Sequence, residues 1–359
     1  MKLLVTTFIK GEDLEKLKKY FDEIRIRGLP RISRVLEPEE LIQEIHDIDM
    51  FIVEFEQLAE GVLTRSKQLK LIASVRAGPQ ANIDIEAATR RGIPVLHSPS
   101  RSSDVVADFT IGLLLAATRY IAKGHFLVKT FQLTEVNPRR PGFASRDIVW
   151  VTNNPQNFPY LKLKGIGLTG KALGILGLGA IGKEVARRAV AFKMKVIAHD
   201  PYLSREKAER IGVRLVDKDT LFREADFVSI HVKVEPKTLA LVGKRELELM
   251  KPTAFFINTA RGAIVDQKAL YRVLKERRIA GAALDVFENE PLKPSDPLLD
   301  LDNVVLTPHI AGACYDNYEK ASSIVTRGIE DYLKGVRPQH VVNPDVLDKK
   351  EDTPSAKTL

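Results

Sequence analysis

The sequence predicts an α/β fold built from two doubly wound units with parallel sheets. Short β-rich runs alternate with helical segments along the chain, the signature of parallel sheets covered by helices. A stretch at 129–170, with Pro138, Pro141, Pro155, Pro159 and Asn153-Asn154, interrupts that alternation once. The chain has 359 residues, too many for one ordinary domain.

Leu3–Thr6 reads as the first strand. Asp13–Phe21 follows as a helix with Leu14, Leu17 and Phe21 on one face. Glu39–His46 is helical, and Met50–Val53 and Leu71–Val75 are strands. Ile83–Arg91 is a helix stopped by Gly92, with a strand at Pro94–His97. Ser103–Lys123 is one long, mostly apolar helix that must be buried against another element. After the interruption, strands fall at Ala172–Leu176, Lys195–His199, Phe227–His231, Ala254–Asn258, Ala282–Val286 and Val304–Leu306. Helices lie between most of them, including Ile181–Phe192 and Gln267–Arg277. A last helix runs over about Asp316–Leu333, and the polar residues after Asn343 read as disordered.

Composition excludes several classes. Hydrophobic residues make up 44% and charged residues 28%, enough for a sizeable core. Lys plus Arg is 55 against 47 Asp plus Glu, a net +8, so an anionic ligand is compatible and an acidic solvating protein is not. The basic residues are interspersed with acids and form no one-sign run, which argues against nucleic acid as a partner. Cys314 is the only cysteine, so no intrachain disulfide or cysteine-based zinc site is available, and no metal is called for. The apolar stretch in Met1–Lys10 is too short for a signal peptide, and none elsewhere is long enough to span a membrane. A cytoplasmic protein without a membrane partner is expected.

The sharpest motif is Gly177-Leu178-Gly179-Ala180-Ile181-Gly182. It follows an apolar strand, opens an amphipathic helix, and is answered by Asp200 at the end of the next strand, 18 positions past Gly182. Gly177 suits a tight turn, Gly179 lets backbone approach a pyrophosphate, and Gly182 lets the helix pack close to the sheet. The helix N-terminus favours phosphate charge. Asp200 suits two free ribose hydroxyls and repels a 2′-phosphate, so NAD is favoured over NADP.

Three polar residues sit just beyond expected strands: Arg261 in Asn258–Gly262, Glu290 before Pro291, and His309 after Thr307-Pro308. Ligands of open parallel sheets bind beyond the carboxyl ends of the strands, so these three side chains could meet over one crevice. An Arg to grip a carboxylate and polarise a carbonyl, a His to give a proton, and a Glu to orient that His are the parts needed to reduce a 2-keto acid.

With these motifs in view, the sequence resembles the D-isomer-specific 2-hydroxyacid dehydrogenases, the NAD-dependent family that includes 3-phosphoglycerate, glyoxylate/hydroxypyruvate and D-lactate dehydrogenases. The resemblance covers roughly Leu71 to Asn343 and rests on Asn82-Ile83-Asp84, the Gly177–Gly182 turn, Asn258–Asp266, Leu284–Pro291 and Pro308–Gly312. It implies a Rossmann NAD-binding domain inserted into a flavodoxin-like substrate domain. The substrate domain would be residues 1–128 plus 313–344. The NAD domain would be 129–312, with an irregular insertion at about 132–163, and 345–359 would be a disordered tail. It implies Arg261, Glu290 and His309 as catalytic residues. Cofactor contacts would come from Thr110, Gly177, Gly179, Ala180, Ile181, Gly182, Asp200, His231, Thr238, Thr259, Ala260 and Asp285. The segment Ser74–Gly78 would give backbone N–H groups to the substrate carboxylate, with Arg76, Ala77 and Gly78 as substrate contacts beside Arg261. A homodimer through the 103–123 helix and the NAD domain is also implied.

The sequence departs from the family pattern in several places. The segment between Arg119 and Gly177 is longer than usual and holds the sole Trp, Trp150; a lid, an interface arm and a bland surface insertion all fit it. Lys233 stands where the family has Pro. The loop Arg76–Asn82 is one residue shorter than in animal-type phosphoglycerate dehydrogenases. Cys314 reads as packing, because the chemistry needs no thiol. No stretch of these residues is expected to correspond to the regulatory C-terminal domain of many phosphoglycerate dehydrogenases, and that activity stays open because short forms exist. Arg76 suits a substrate phosphate, another anionic tail or a salt bridge equally well. The competing reading is a non-catalytic NAD(H)-sensing protein, like the corepressors of the same superfamily.

Overall fold

The computed structural model describes residues 1–133 and 159–351. Most of the expected insertion, Trp150 included, lies outside the described residues, as do 352–359 of the expected tail. The chain divides into two compact units, Met1–Arg101 with the residues from Ala313 onward, and Ser102–Gly312.

The first unit holds a parallel sheet of β1 (Lys2–Val5), β2 (Glu23–Ile26), β3 (Met50–Val53), β4 (Leu71–Ser74) and β5 (Val95–Leu96), in the order β2-β1-β3-β4-β5. This is the flavodoxin-like order. The central strands are apolar on both faces because helices cover both. Leu4, Phe51, Val53 and Ile72 face one core, and Leu3, Val5, Met50, Ile52 and Leu71 face the other. The register Leu3↔Met50↔Leu71 aligns these alternating rows. Helix Tyr315–Leu333 closes the second core with Ala321, Val325 and Ile329, spaced at four residues along one face.

The second unit holds β6 (Ala172–Leu176), β7 (Lys195–His199), β8 (Val213–Leu215), β9 (Phe227–Ile230), β10 (Phe255–Asn258), β11 (Gly281–Leu284) and β12 (Val304–Leu306). All pair in parallel in the order β12-β11-β10-β9-β6-β7-β8. The chain winds outward from β6 in both directions, so the order reverses between β6 and β9. That reversal opens a crevice at the strands' carboxyl ends. Helices Ser103–Thr118 and Ala180–Ala191 pack on one face, and Gln267–Lys275 packs on the other.

Four expectations need correction. The helix expected over Ser103–Lys123 is two helices, Ser103–Thr118 and Ile121–Lys129, bent by 64°. Tyr120 turns left-handed at φ 54°, and the Thr118 carbonyl accepts from Ile166 N (3.0 Å) instead of continuing the helix. No single helix among the described residues is long and apolar enough to cross a membrane. The first unit ends at Arg101 rather than at 128, because Ala107, Ile111 and Leu114 belong to the core of the second sheet.

Asp345–Glu351 is helical, not disordered, and Val346 is buried. The Asn343 side chain anchors this segment, accepting from Val95 N (2.8 Å) and donating to Thr89 Oγ1 and Ile93 O (both 3.0 Å). Strands β2 and β8 were not anticipated. Both are edge strands with a single partner, and the exposed faces of edge strands carry the polar residues that hide a strand pattern.

Replacing Asn343 with Ala strands a buried Val95 N–H and a buried Ile93 carbonyl. A loss of about 2 kcal/mol is expected in urea unfolding. A change below about 0.5 kcal/mol would show that the C-terminal segment is not held by this side chain.

Candidate active site

The Gly177–Gly182 turn stands at the β6/β9 reversal. Gly177 has φ 93°, and a Cβ there would lie 2.7 Å from the His231 carbonyl oxygen. A Cβ on Gly182 would lie 2.2 Å from the Gly177 carbonyl oxygen, so helix and turn touch only because residue 182 is glycine. Gly179 is the opposite case: a Cβ would meet nothing within 4 Å. Its backbone therefore borders open space, beside the first N–H groups of helix Ala180–Ala191, with Ala180 and Ile181 at its first positions. Asp200, at the end of β7, accepts from Leu178 N (2.8 Å) and Tyr202 N (2.9 Å). Its carboxylate thus ties the glycine turn to the next loop. A turn that admits close approach, a helix N-terminus and an acid on the neighbouring strand together fit a dinucleotide.

Several expected cofactor contacts have their polar atoms engaged within the protein. The Thr110 hydroxyl donates to Val106 O (2.7 Å), lies 2.9 Å from the Thr259 hydroxyl, and is fully buried. The Thr238 hydroxyl caps its own short turn, bonding Lys233 O (2.6 Å) and Glu235 N (2.8 Å). Lys233 lies in this same loop. Ala260 N donates to Asn258 Oδ1 (3.0 Å). His231 Nε2 meets Ser229 Oγ at 2.8 Å, while its Nδ1 is buried without a partner among the described residues. Burial pushes this imidazole down from 6.5 to about 3, so it is neutral near pH 7.

Asp285 is fully buried. Its carboxylate accepts from Thr307 Oγ1 (2.6 Å), Ile310 N (2.9 Å) and Ala311 N (2.8 Å), and its carbonyl accepts from His309 N (2.8 Å). Four hydrogen bonds accepted by one residue therefore shape the loop that presents His309. His309 is held at φ 54°, a region that bulky side chains rarely occupy, and the Asp285 bonds impose it. The family resemblance implies Asp285 as a cofactor contact, but nothing in the sequence signals this loop-shaping role.

The three expected catalytic residues lie on the carboxyl edge of this sheet. His309 Nδ1 is 2.6 Å from Glu290 Oε2, and Glu290 Oε1 accepts from Phe287 N (2.9 Å). The carboxylate is fixed at both oxygens and accepts a hydrogen bond from Nδ1–H, which sets the tautomer that leaves the Nε2 lone pair available. His309 and Glu290 are 44% and 35% exposed, so the pair is open to small molecules. Arg261 is exposed on the neighbouring loop, with its carbonyl held by Asn258 Nδ2 (3.0 Å) and its Nη1 donating to Ala260 O (2.6 Å). Gly262 lets that loop close on the Glu290 loop, since a Cβ there would lie 1.9 Å from the Phe287 carbonyl carbon.

In the first unit, the expected substrate loop follows β4. Arg76 N donates to Ser74 Oγ (3.2 Å), and the Arg76 guanidinium lies 5.3 Å from the centre of the Phe55 ring. The N–H groups of Ala77 and Gly78 donate to nothing among the described residues. Two adjacent unengaged N–H groups form a ready pair of donors for a carboxylate.

Residues 144–311 match the model of the D-isomer specific 2-hydroxyacid dehydrogenase, NAD binding domain. The chain is 38% identical over 353 residues to a D-3-phosphoglycerate dehydrogenase of Methanocaldococcus jannaschii, covering 98% of this chain but 61% of that protein. It is 36% identical over 348 residues to a glyoxylate reductase of Thermococcus litoralis, covering 96% of this chain and 98% of that one. The solved TT0316 protein from Thermus thermophilus superposes with a TM-score of 0.78 at 31% identity, covering 95% of this chain and 100% of that one. The chain belongs to the D-isomer specific 2-hydroxyacid dehydrogenase family.

Two glycine variants should separate binding from folding. Gly179→Ala is expected to keep the melting temperature and to weaken NADH binding by about tenfold or more, measured by fluorescence titration. Gly182→Ala is expected to lower the melting temperature by several degrees, because its clash is with backbone. Equal effects of the two on melting would contradict this division. Because His231 resists protonation only in the folded state, stability should fall as pH drops from about 6.5 towards 3. His231→Gln should flatten that part of the pH–stability curve, and an unchanged slope would refute the assignment.

Proposed function

We propose that this family member is an NAD-dependent dehydrogenase that interconverts a small D-2-hydroxy acid and its 2-keto acid. The observation that carries the reading is the His309–Glu290 pair at 2.6 Å, beside Arg261, on the edge of the sheet that bears the glycine turn. The glycine turn and Asp200 would hold NADH, which when bound would supply the hydride to C2. Arg261 binds the carboxylate with its planar fork and polarises the keto oxygen. His309 Nε2 gives its proton to the oxygen that becomes the hydroxyl, and Glu290 holds the ring by Nδ1 and stabilises the imidazolium. In the oxidative direction His309 must be neutral, so that Nε2 can take the hydroxyl proton. Within the first unit, the loop at 76–78 is a carboxylate site, with the Ala77 and Gly78 N–H groups as its donors.

Two substrate classes remain within this reading. Arg76 is a cation beside the carboxylate loop and suits a phosphorylated acid such as 3-phosphohydroxypyruvate. Its seat on the Phe55 ring also suits a short acid such as glyoxylate or hydroxypyruvate, with the ring as an apolar wall.

The test follows NADH absorbance over a panel of phosphorylated and unphosphorylated 2-keto acids. His309→Ala and Arg261→Ala should each lower kcat/KM by a factor of about 100 or more. Glu290→Gln should lower kcat more than it changes KM, because the ring loses its anionic partner when it is charged. Activity surviving in both alanine variants would refute the mechanism. NADH binding without turnover on any acid would support the sensor reading instead. Arg76→Ala should raise KM selectively for the phosphorylated acid if that is the substrate, and an equal effect on all acids would point to the short ones.

A further inference from the structure

The loop at Arg76–Gly78 is pinned through two successive peptide carbonyls. Ser98 N donates to Arg76 O (3.0 Å), and His97 Nδ1 lies 3.0 Å from Ala77 O. A carbonyl can only accept, so the second contact requires the proton on Nδ1. Each trans peptide is planar, with its C=O and N–H pointing in opposite directions. Holding Arg76 O therefore aims Ala77 N–H away from the β5 side, and holding Ala77 O aims Gly78 N–H the same way. These are the two N–H groups that donate to nothing among the described residues. They differ in what sets them. Ala77 N–H is aimed by a backbone donor that no side-chain change removes, whereas Gly78 N–H depends on one imidazole.

That imidazole is itself held. Strand β5 is two residues long, and the segment around His340–Asn343 runs along its open edge. His97 N donates to His340 O (3.0 Å), Val342 N donates to Val95 O (2.8 Å), and Leu96 bridges Val341 in antiparallel fashion. The His340 ring meets the His97 ring edge to face, with centroids 6.2 Å apart. A side chain fixed from backbone and ring is pre-organised to fix another group at little entropic cost.

We propose that His97 is a positioning residue of the carboxylate site: its Nδ1–H fixes the Ala77 carbonyl and so orients the Gly78 N–H that receives the substrate carboxylate. This rests on the reading that the 76–78 loop binds that carboxylate.

The test compares His97→Leu, which removes the donor, with His97→Asn, whose Nδ2–H restores a donor at similar reach. Three quantities are measured on the full chain: KM and kcat with glyoxylate and NADH, NADH affinity, and amide hydrogen exchange over residues 74–82 with and without oxalate. In His97→Leu, KM for the keto acid should rise by about tenfold with NADH affinity unchanged. Oxalate should slow exchange at Gly78 less than it does in the wild type, while its protection of Ala77 should change little. His97→Asn should recover most of the KM and the exchange protection. Wild-type KM and exchange in His97→Leu would overturn the inference, and so would equal damage in both variants, which would mark a packing role. A wild-type chain that reduces no keto acid would defeat the dehydrogenase reading instead. The exchange and oxalate arms would still decide whether His97 sets the loop.

Discussion

The buried carboxylate of Asp285 is the constraint on which the candidate catalytic edge depends. A carboxylate with no exposure must have its oxygens satisfied from within the protein. Here the donors all come from the segment that carries His309, namely Thr307 Oγ1, Ile310 N and Ala311 N. Satisfying Asp285 and placing His309 are therefore one event. The strain at His309, φ 54°, persists because undoing it would leave buried groups unpaired. Glu290 then has only to meet a ring already in position, and it does so at 2.6 Å while its other oxygen is held by Phe287 N.

The cofactor edge follows a complementary principle, backbone contact without side chains. Gly177 against His231 O, Gly182 against Gly177 O, and Gly262 against Phe287 bring loops from separate strands closer than any Cβ permits. Gly179 borders open space between these tight contacts. A rigid rim around one open position suits a pyrophosphate, which is bound by N–H groups and a helix dipole and not by a cation. This is consistent with the modest part that the +8 charge plays: the glycine turn contains no Lys or Arg before Lys183.

The first unit uses the same parallel-sheet logic on a smaller scale. Its β4 loop is shaped from the neighbouring strand by Ser98 and His97, and β5 is completed by the chain's C-terminal segment. Residues more than 240 positions apart thus share the support of one loop, as the bond between Val95 N and Asn343 shows. The helix expected to run unbroken to Lys123 instead bends at Tyr120, because Ile166 N takes the Thr118 carbonyl. The apolar pattern alone shows that such a helix is buried, not where its last carbonyl finds a donor.

Local pattern determined much by itself: the two-sided apolar strands, the glycine turn with Asp200 on the next strand, and the strand-end positions of Arg261, Glu290 and His309. Those features depend on periodicity and on conformations that single residue types require, and both are written in consecutive residues. The edge strands β2 and β8 escaped this reading because one exposed side removes the apolar alternation. Tertiary structure alone decided that Thr110 and Thr259 satisfy each other, that Asp285 shapes the His309 loop, that Asn343 anchors a helix in place of a loose tail, and that His97 holds Ala77. Each of these is a hydrogen bond between distant residues, and its existence depends on burial, which forces a polar group to find a partner but leaves the choice of partner to the fold.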